Sequence, residues 1–186
     1  MQEIVELNEL IKDHCRTNKI RFIDAYSEFA DGSGRLRKEY SYGDGGHLNG
    51  AGYRRLGEFI ALRVADLLAH DNMIACLGDS ITEGYPGHLN ELKKGNRWKP
   101  YTAYLERPNV KVLNFGVSGD TTDGMTMRLF RDVLKSRSSV CITLGGTNDL
   151  LGGVPPGEAF QNLAAIYGEC ERQNILPVAV TVLPVD

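Results

Sequence analysis

The chain has 186 residues, 42% of them hydrophobic and 24% charged, with a net charge of −3. That length suits one domain with a sizeable core, and the composition is that of an ordinary globular protein. No basic stripe marks a nucleic-acid partner, and no apolar run approaches the ~18–20 residues of a membrane span, so neither nucleic acid nor membrane is expected as a partner.

The chain opens on "EIVELNELIKDHCRTN" (3–18), where Ile4, Leu7, Ile11 and Cys15 recur at helical spacing. "RFIDA" (21–25) reads as a strand, followed by a long polar loop over 27–50 containing "GDGGHLNG". The spacing of Tyr53, Leu56, Ile60, Val64 and Leu67 predicts a helix over 51–68, with Asn49 as its N-cap. "MIACLG" (73–78), "VKVLNFG" (110–116), "SVCITLGG" (139–146) and "LPVAVTVLP" (176–184) are four more apolar, β-branched runs. Helical patterns over 121–136 and 155–173 separate the last three. Trp98, Tyr101 and Leu105 are expected to pack a short helix on the sheet, with Trp98 a candidate border of the site.

Most of the strand-like runs are continuously apolar rather than alternating, the pattern of parallel strands buried on both faces. Strands alternating with helices predict a doubly wound α/β domain over residues 1–186. The four cysteines (Cys15, Cys76, Cys141, Cys170) include no C-x-x-C pair and read as free buried thiols. No Cys/His cluster suggests a metal, and no cofactor is expected.

In open parallel sheets ligands bind at the carboxyl ends of the strands. Ser80 follows the run at 73–78, Gly119 the run at 110–116, and Asn148 the run at 139–146; the loop after 21–25 carries Asp44 and His47. A serine needs a base, which His47 supplies, and Asp44 can hold the imidazole in the useful tautomer. The backbone N–H groups of Ser80 and Gly119 and the Asn148 amide are candidate oxyanion donors. Asp79, Asp120 and Asp149 read as structural acids bonding loop amides. His14 and His70 read as surface residues, His88 as a candidate pocket residue, and "RLRK" (35–38) as a solvated loop.

"GDSITEG", "NFGVSGDTT", "GGTND" and "DGGHLN" resemble the four motif blocks of the SGNH hydrolases, or GDSL esterase/lipase family. The resemblance implies a flavodoxin-like α/β/α sandwich with five parallel strands ordered 2-1-3-4-5, counting from 73–78. It implies Ser80 as nucleophile, His47 as base, Asp44 as its orienting acid, and Ser80, Gly119 and Asn148 as the oxyanion hole. In that family the Asp–His block comes last, and here it comes first. The chain therefore resembles a circular permutant, with family order 73–186 followed by 1–70. A small-molecule carboxylic ester is the expected substrate: short acyl, aryl or carbohydrate acetyl. Thioesters, lysophospholipids, or silent ligand binding on the same fold are the alternatives. The acidic start "QEIVELNEL" and the Met73 that precedes the Ser80 strand point to a cytoplasmic protein.

Overall fold

The computed structural model describes residues 2–86 and 98–186. It contains helix α1 (Gln2–Asn18), strand β1 (Arg21–Ile23), α2 (Ala25–Phe29), α3 (Gly50–Arg63), β2 (Asn72–Gly78), α4 (Ser80–Glu83), β3 (Val110–Gly116), α5 (Thr122–Asp132), β4 (Val140–Leu144), α6 (Thr147–Leu151), α7 (Pro156–Arg172) and β5 (Leu176–Val180). The strands form one sheet in the order β1-β5-β4-β2-β3, and every pairing is parallel. Counted from β2, this is the expected 2-1-3-4-5 arrangement, read from the opposite edge.

The continuous apolarity of the strands has the expected cause. Successive side chains point to opposite faces of a sheet. Ile74, Cys76, Val140, Ile142, Val178 and Val180 enter a core shared with α3. Ala75, Leu77 and Cys141 enter a second core, under α5 and α7. Ala179 faces a third, under α1 and α7. The sheet is thus covered on both sides, giving a three-layer α/β/α sandwich. All four cysteines are buried and free, and burial pushes the Cys15 thiol up to about 11.

The structure departs from the sequence expectations at several element ends. The helix expected to reach 68 stops at Arg63, and Val64 leaves the helical region at φ −117° before a separate turn of 3₁₀ helix at Leu67–Ala69. The strand expected over 176–184 pairs only to Val180. Beyond it, Thr181, Val182 and Leu183 stay buried, and side chains take over part of the hydrogen bonding. Asn8 receives Val182 N–H on its Oδ1 at 2.8 Å and donates from Nδ2 to Val182 O at 3.0 Å. Thr181 Oγ1 accepts from Tyr26 N–H at 2.8 Å. Their apolarity reflects burial, not a sheet ladder. The short helices α2 and α6 were not expected; α2 is capped by Asp24, which accepts from Ser27 N–H.

Candidate active site

Because every strand runs the same way, the loops after β2, β3 and β4 leave one edge of the sheet. The nucleophile candidate is fixed there by close packing. Asp79 follows β2 and caps α4, its Oδ1 accepting from Ile81 N–H at 2.9 Å. A Cβ at Gly116 would lie 2.0 Å from Glu83 N, and one at Gly78 would lie 2.1 Å from Thr82 Oγ1. Both glycines let α4 lie directly on the strand ends, which sets Ser80, 8% exposed, at the sheet edge.

His47 arrives from the loop between α2 and α3. Tyr42 N–H donates to His47 O at 2.9 Å, and Asn49 N–H to Tyr40 O at 2.8 Å. Asn49 caps α3 as expected, accepting from Gly52 N–H, while its amide donates to the carbonyls of Glu39 and Ser41. Within this frame one carboxylate serves two purposes. Asp44 Oδ1 accepts from the backbone N–H of His47 at 3.0 Å and of Gly46 at 3.3 Å, closing the turn. Asp44 Oδ2 lies 2.8 Å from His47 Nδ1. His47 Nε2 lies 3.0 Å from Ser80 Oγ. A carboxylate at Nδ1 places the imidazole proton there and leaves Nε2 to accept from the serine hydroxyl. Burial acts to raise the Asp44 carboxyl, but the N–H groups of His47 and Gly46 and the imidazole outweigh it and hold it below the usual carboxylate range.

Gly119 follows β3 at φ +79°, a left-handed conformation that an L side chain rarely adopts; a Cβ there would meet nothing within 4 Å. The requirement for glycine is therefore conformational, not one of space. Asn148 Nδ2 donates to Asp120 O at 2.8 Å. An amide nitrogen carries two hydrogens, so this bond orients the group and leaves a second donor. Asp44, His47, Ser80, Gly119 and Asn148 together line a cavity of 250 Å³, along with Tyr85 and Ser118. The tertiary structure brings all five sequence candidates together. A larger cavity of 330 Å³, lined by Arg35, Lys38, Tyr42 and Asp186 among others, holds none of these five.

Two lining residues escaped sequence reasoning. The Tyr85 ring lies 4.6 Å from the His47 ring, centroid to centroid, and the Tyr53 hydroxyl donates to Tyr85 O at 2.6 Å. Ser118 donates from its N–H to Glu83 Oε2 at 2.8 Å and also from its hydroxyl. Ser118 lies within the block "NFGVSGDTT" and Tyr85 directly after "GDSITEG", the only signal available. The three other acids bond to neighbouring amides, as expected. Asp149 accepts from Thr122 N–H and Oγ1, and Asp120 Oδ1 from Thr121 N–H. Burial pushes the Asp79 carboxyl up to about 7; the N–H of Ile81 opposes this and the Asp120 and Asp149 charges add to it.

Trp98 does not line the cavity. It packs with the α3 core and lies 5.9 Å from Tyr42, ring to ring. His14 rests on α1 against Phe160 and Tyr167, His70 is exposed, and His88 lies outside the described residues. In the 35–38 stretch, Arg37 is partly buried and donates to Ala30 O at 3.0 Å. Among the described residues no group of three His, Cys, Asp or Glu side chains is arranged to hold a metal ion, and no helix is long and apolar enough to cross a membrane.

Residues 76–186 match the family described as GDSL-like Lipase/Acylhydrolase. Ser80, Gly119 and Asn148 fall inside that stretch; Asp44 and His47 lie before it. An uncharacterised lipoprotein of Bacillus subtilis (strain 168), YqeF, is 30% identical over 118 residues, which are 60% of this chain and 49% of that protein. The crystal structure of AlinE4, an SGNH-hydrolase family esterase, is similar at 32% identity and a TM-score of 0.48, over 59% of this chain and 58% of that one. The psychrotrophic esterase EstA from Pseudoalteromonas sp., inhibited by monoethylphosphonate, is 24% identical at a TM-score of 0.48, over 61% of this chain and 62% of that one. The chain thus spans about half the length of the curated relative it matches and under two thirds of these two structures.

Proposed function

The chain belongs to the GDSL-like lipase/acylhydrolase family, and on that premise we propose that it hydrolyses carboxylic esters through an acyl-serine intermediate. The reading rests on one observation, the continuous chain of contacts from Ser80 Oγ to His47 Nε2 at 3.0 Å and from His47 Nδ1 to Asp44 Oδ2 at 2.8 Å.

Ser80 Oγ attacks the ester carbonyl carbon while its proton passes to His47 Nε2. The carbonyl electron pair moves onto oxygen. The backbone N–H groups of Ser80 and Gly119 and the free Asn148 N–H are the donors for that oxyanion, each worth about 3–4 kcal/mol of transition-state stabilisation. Collapse expels the alcohol, which leaves with the proton held by His47. Water then attacks the acyl-serine, His47 takes its proton, and the acid departs as the proton returns to Ser80 Oγ. Asp44 keeps the imidazole oriented throughout and stabilises its charged form.

A cavity of 250 Å³ sits below the usual volume of ligand pockets, about 300–1,000 Å³. This favours short acyl, aryl or carbohydrate acetyl esters. The motif order is part of the same reading: a single unit over 1–186 in which the family's order, 73–186 then 1–70, is circularly permuted. Cell fractionation tests the cytoplasmic location expected from the sequence.

The test is p-nitrophenyl acetate turnover by wild type and Ser80→Ala, together with fluorophosphonate labelling mapped by mass spectrometry. Wild-type turnover, labelling at Ser80 and a folded, inactive variant are expected. A Ser80→Ala protein that keeps wild-type turnover overturns the reading.

A further inference from the structure

Arg128 lies on α5, outside the cavity, yet its side chain is only 10% exposed. Its guanidinium donates in three directions. Nε donates to Asp120 Oδ2 at 2.7 Å, Nη1 to Asp132 Oδ2 at 2.8 Å, and Nη2 to Gly78 O at 2.9 Å. The two carboxylates are themselves only 12% and 11% exposed.

Two of the three ends of this fork touch groups that matter to the oxyanion site, while the third, Asp132, belongs to α5 itself. Gly78 O is the last carbonyl of β2, two residues before Ser80, and it also accepts from Val117 N–H at 3.0 Å. Asp120 follows Gly119 directly, and its own backbone carbonyl is the acceptor that orients the Asn148 amide. One planar cation therefore ties the end of β2 to the loop after β3, and through Asp120 to the side chain delivered by β4. The site is shaped around the Asp120 carboxylate: a Cβ at position 124 would lie 2.0 Å from Asp120 Oδ1, so only glycine admits it there.

We propose that Arg128 is a positioning residue, which sets the distance between Ser80 and the oxyanion donors Gly119 and Asn148 by clamping Gly78 O and Asp120 together. The assignment rests on the serine-esterase reading of the site. Three donors fixed in a plane hold three acceptors at fixed separations, which the single ammonium of lysine, on a flexible stem, does not. With Arg128 10% and the two carboxylates 12% and 11% exposed, water has little access to replace a lost bond. A displacement of the order of 1 Å in a catalytic constellation costs about 100-fold in rate, so even a partial relaxation is readable.

The experiment measures kcat and KM on p-nitrophenyl acetate, per folded molecule, for wild type, Ser80→Ala, Arg128→Lys, Asp120→Asn and the double variant Arg128→Lys/Asp120→Asn. Circular dichroism gives the folded fraction. Positioning predicts that kcat falls roughly 10- to 100-fold in each single Arg128 or Asp120 variant. KM should stay within about twofold, the pattern of an interaction made only in the transition state. The acid limb of the pH profile should not move, since the Asp44–His47 pair is untouched. The double variant should lose little more than either single one, because both break the same clamp. Wild-type kcat in folded Arg128→Lys, or fully additive losses in the double variant, overturns the proposal. If Arg128→Lys fails to fold, folded Asp120→Asn decides alone, by its kcat and KM. Turnover retained in Ser80→Ala instead overturns the esterase reading, and this assignment with it.

Discussion

Asn8, on the first helix, hydrogen-bonds both the N–H and the C=O of Val182, two residues beyond β5. Ile4, Leu7 and Ile11 of α1 share a core with Val182 and Val185, and β1 pairs in parallel with β5. The helix α1 therefore stands where a crossover between β5 and β1 would stand. On the other side Asp186 N–H donates to Gly45 O at 3.0 Å, beside Asp44. The segment after β5 thus bridges α1 and the loop that carries the catalytic candidates.

This relationship makes the proposed permutation testable. A chain beginning at Asn72, continuing to Asp186, and joined to the start of α1 through a loop of about 2–6 residues should adopt the same fold. Circular dichroism and ester turnover comparable to the original order are expected. A rejoined chain that fails to fold with any linker of that length range refutes the rotated order.

Asp44→Asn separates the two uses of that side chain. The amide oxygen can still accept from His47 N–H and close the turn, so the loop should hold. Its nitrogen can no longer act as an acceptor for Nδ1–H, and the tautomer that leaves Nε2 free is lost. The expected outcome is a kcat reduced by up to about 10⁴-fold with KM little changed. Steady-state kinetics check it; a raised KM at unaltered kcat would assign Asp44 to binding instead.

The Asp79 carboxyl, pushed up to about 7 by burial, ties stability to pH with a definite sign. Below about pH 4 both the folded and unfolded chains hold its proton. Between about pH 4 and pH 7 only the folded chain does, so stability falls as pH rises through that window and then levels. At about 1.4 kcal/mol per pH unit, the ceiling is roughly 4 kcal/mol. Urea midpoints at several pH values check this against Asp79→Asn, which keeps the oxygen that caps α4 and cannot ionise. The variant should gain on wild type as pH rises towards neutrality; parallel curves would show that the buried carboxyl does not titrate there.

The sequence by itself determined the central strands β2, β4 and β5, because parallel strands buried on both faces leave an apolar run that needs no context to read; the edge strands β1 and β3 are mostly half-buried or exposed. Ile74 and Cys76 face one core, Ala75 and Leu77 the other, and the run "MIACLG" carries both. It also determined which residues stand at the strand ends, since Ser80, Gly119 and Asn148 each come two or three positions after an apolar run. Tertiary structure decided what periodicity cannot encode. The helices α2 and α6 span five residues each, too few for a 3.6-residue repeat to register. Leu183 is as apolar as a strand residue but is held by packing, so composition overstates β5. Arg128 and Arg131 look alike in "MRLFRD", yet Arg131 is 74% exposed and Arg128 10%. Nothing local distinguishes them: a guanidinium is buried only where carboxylates and a carbonyl converge, and Gly78 lies 50 residues away along the chain.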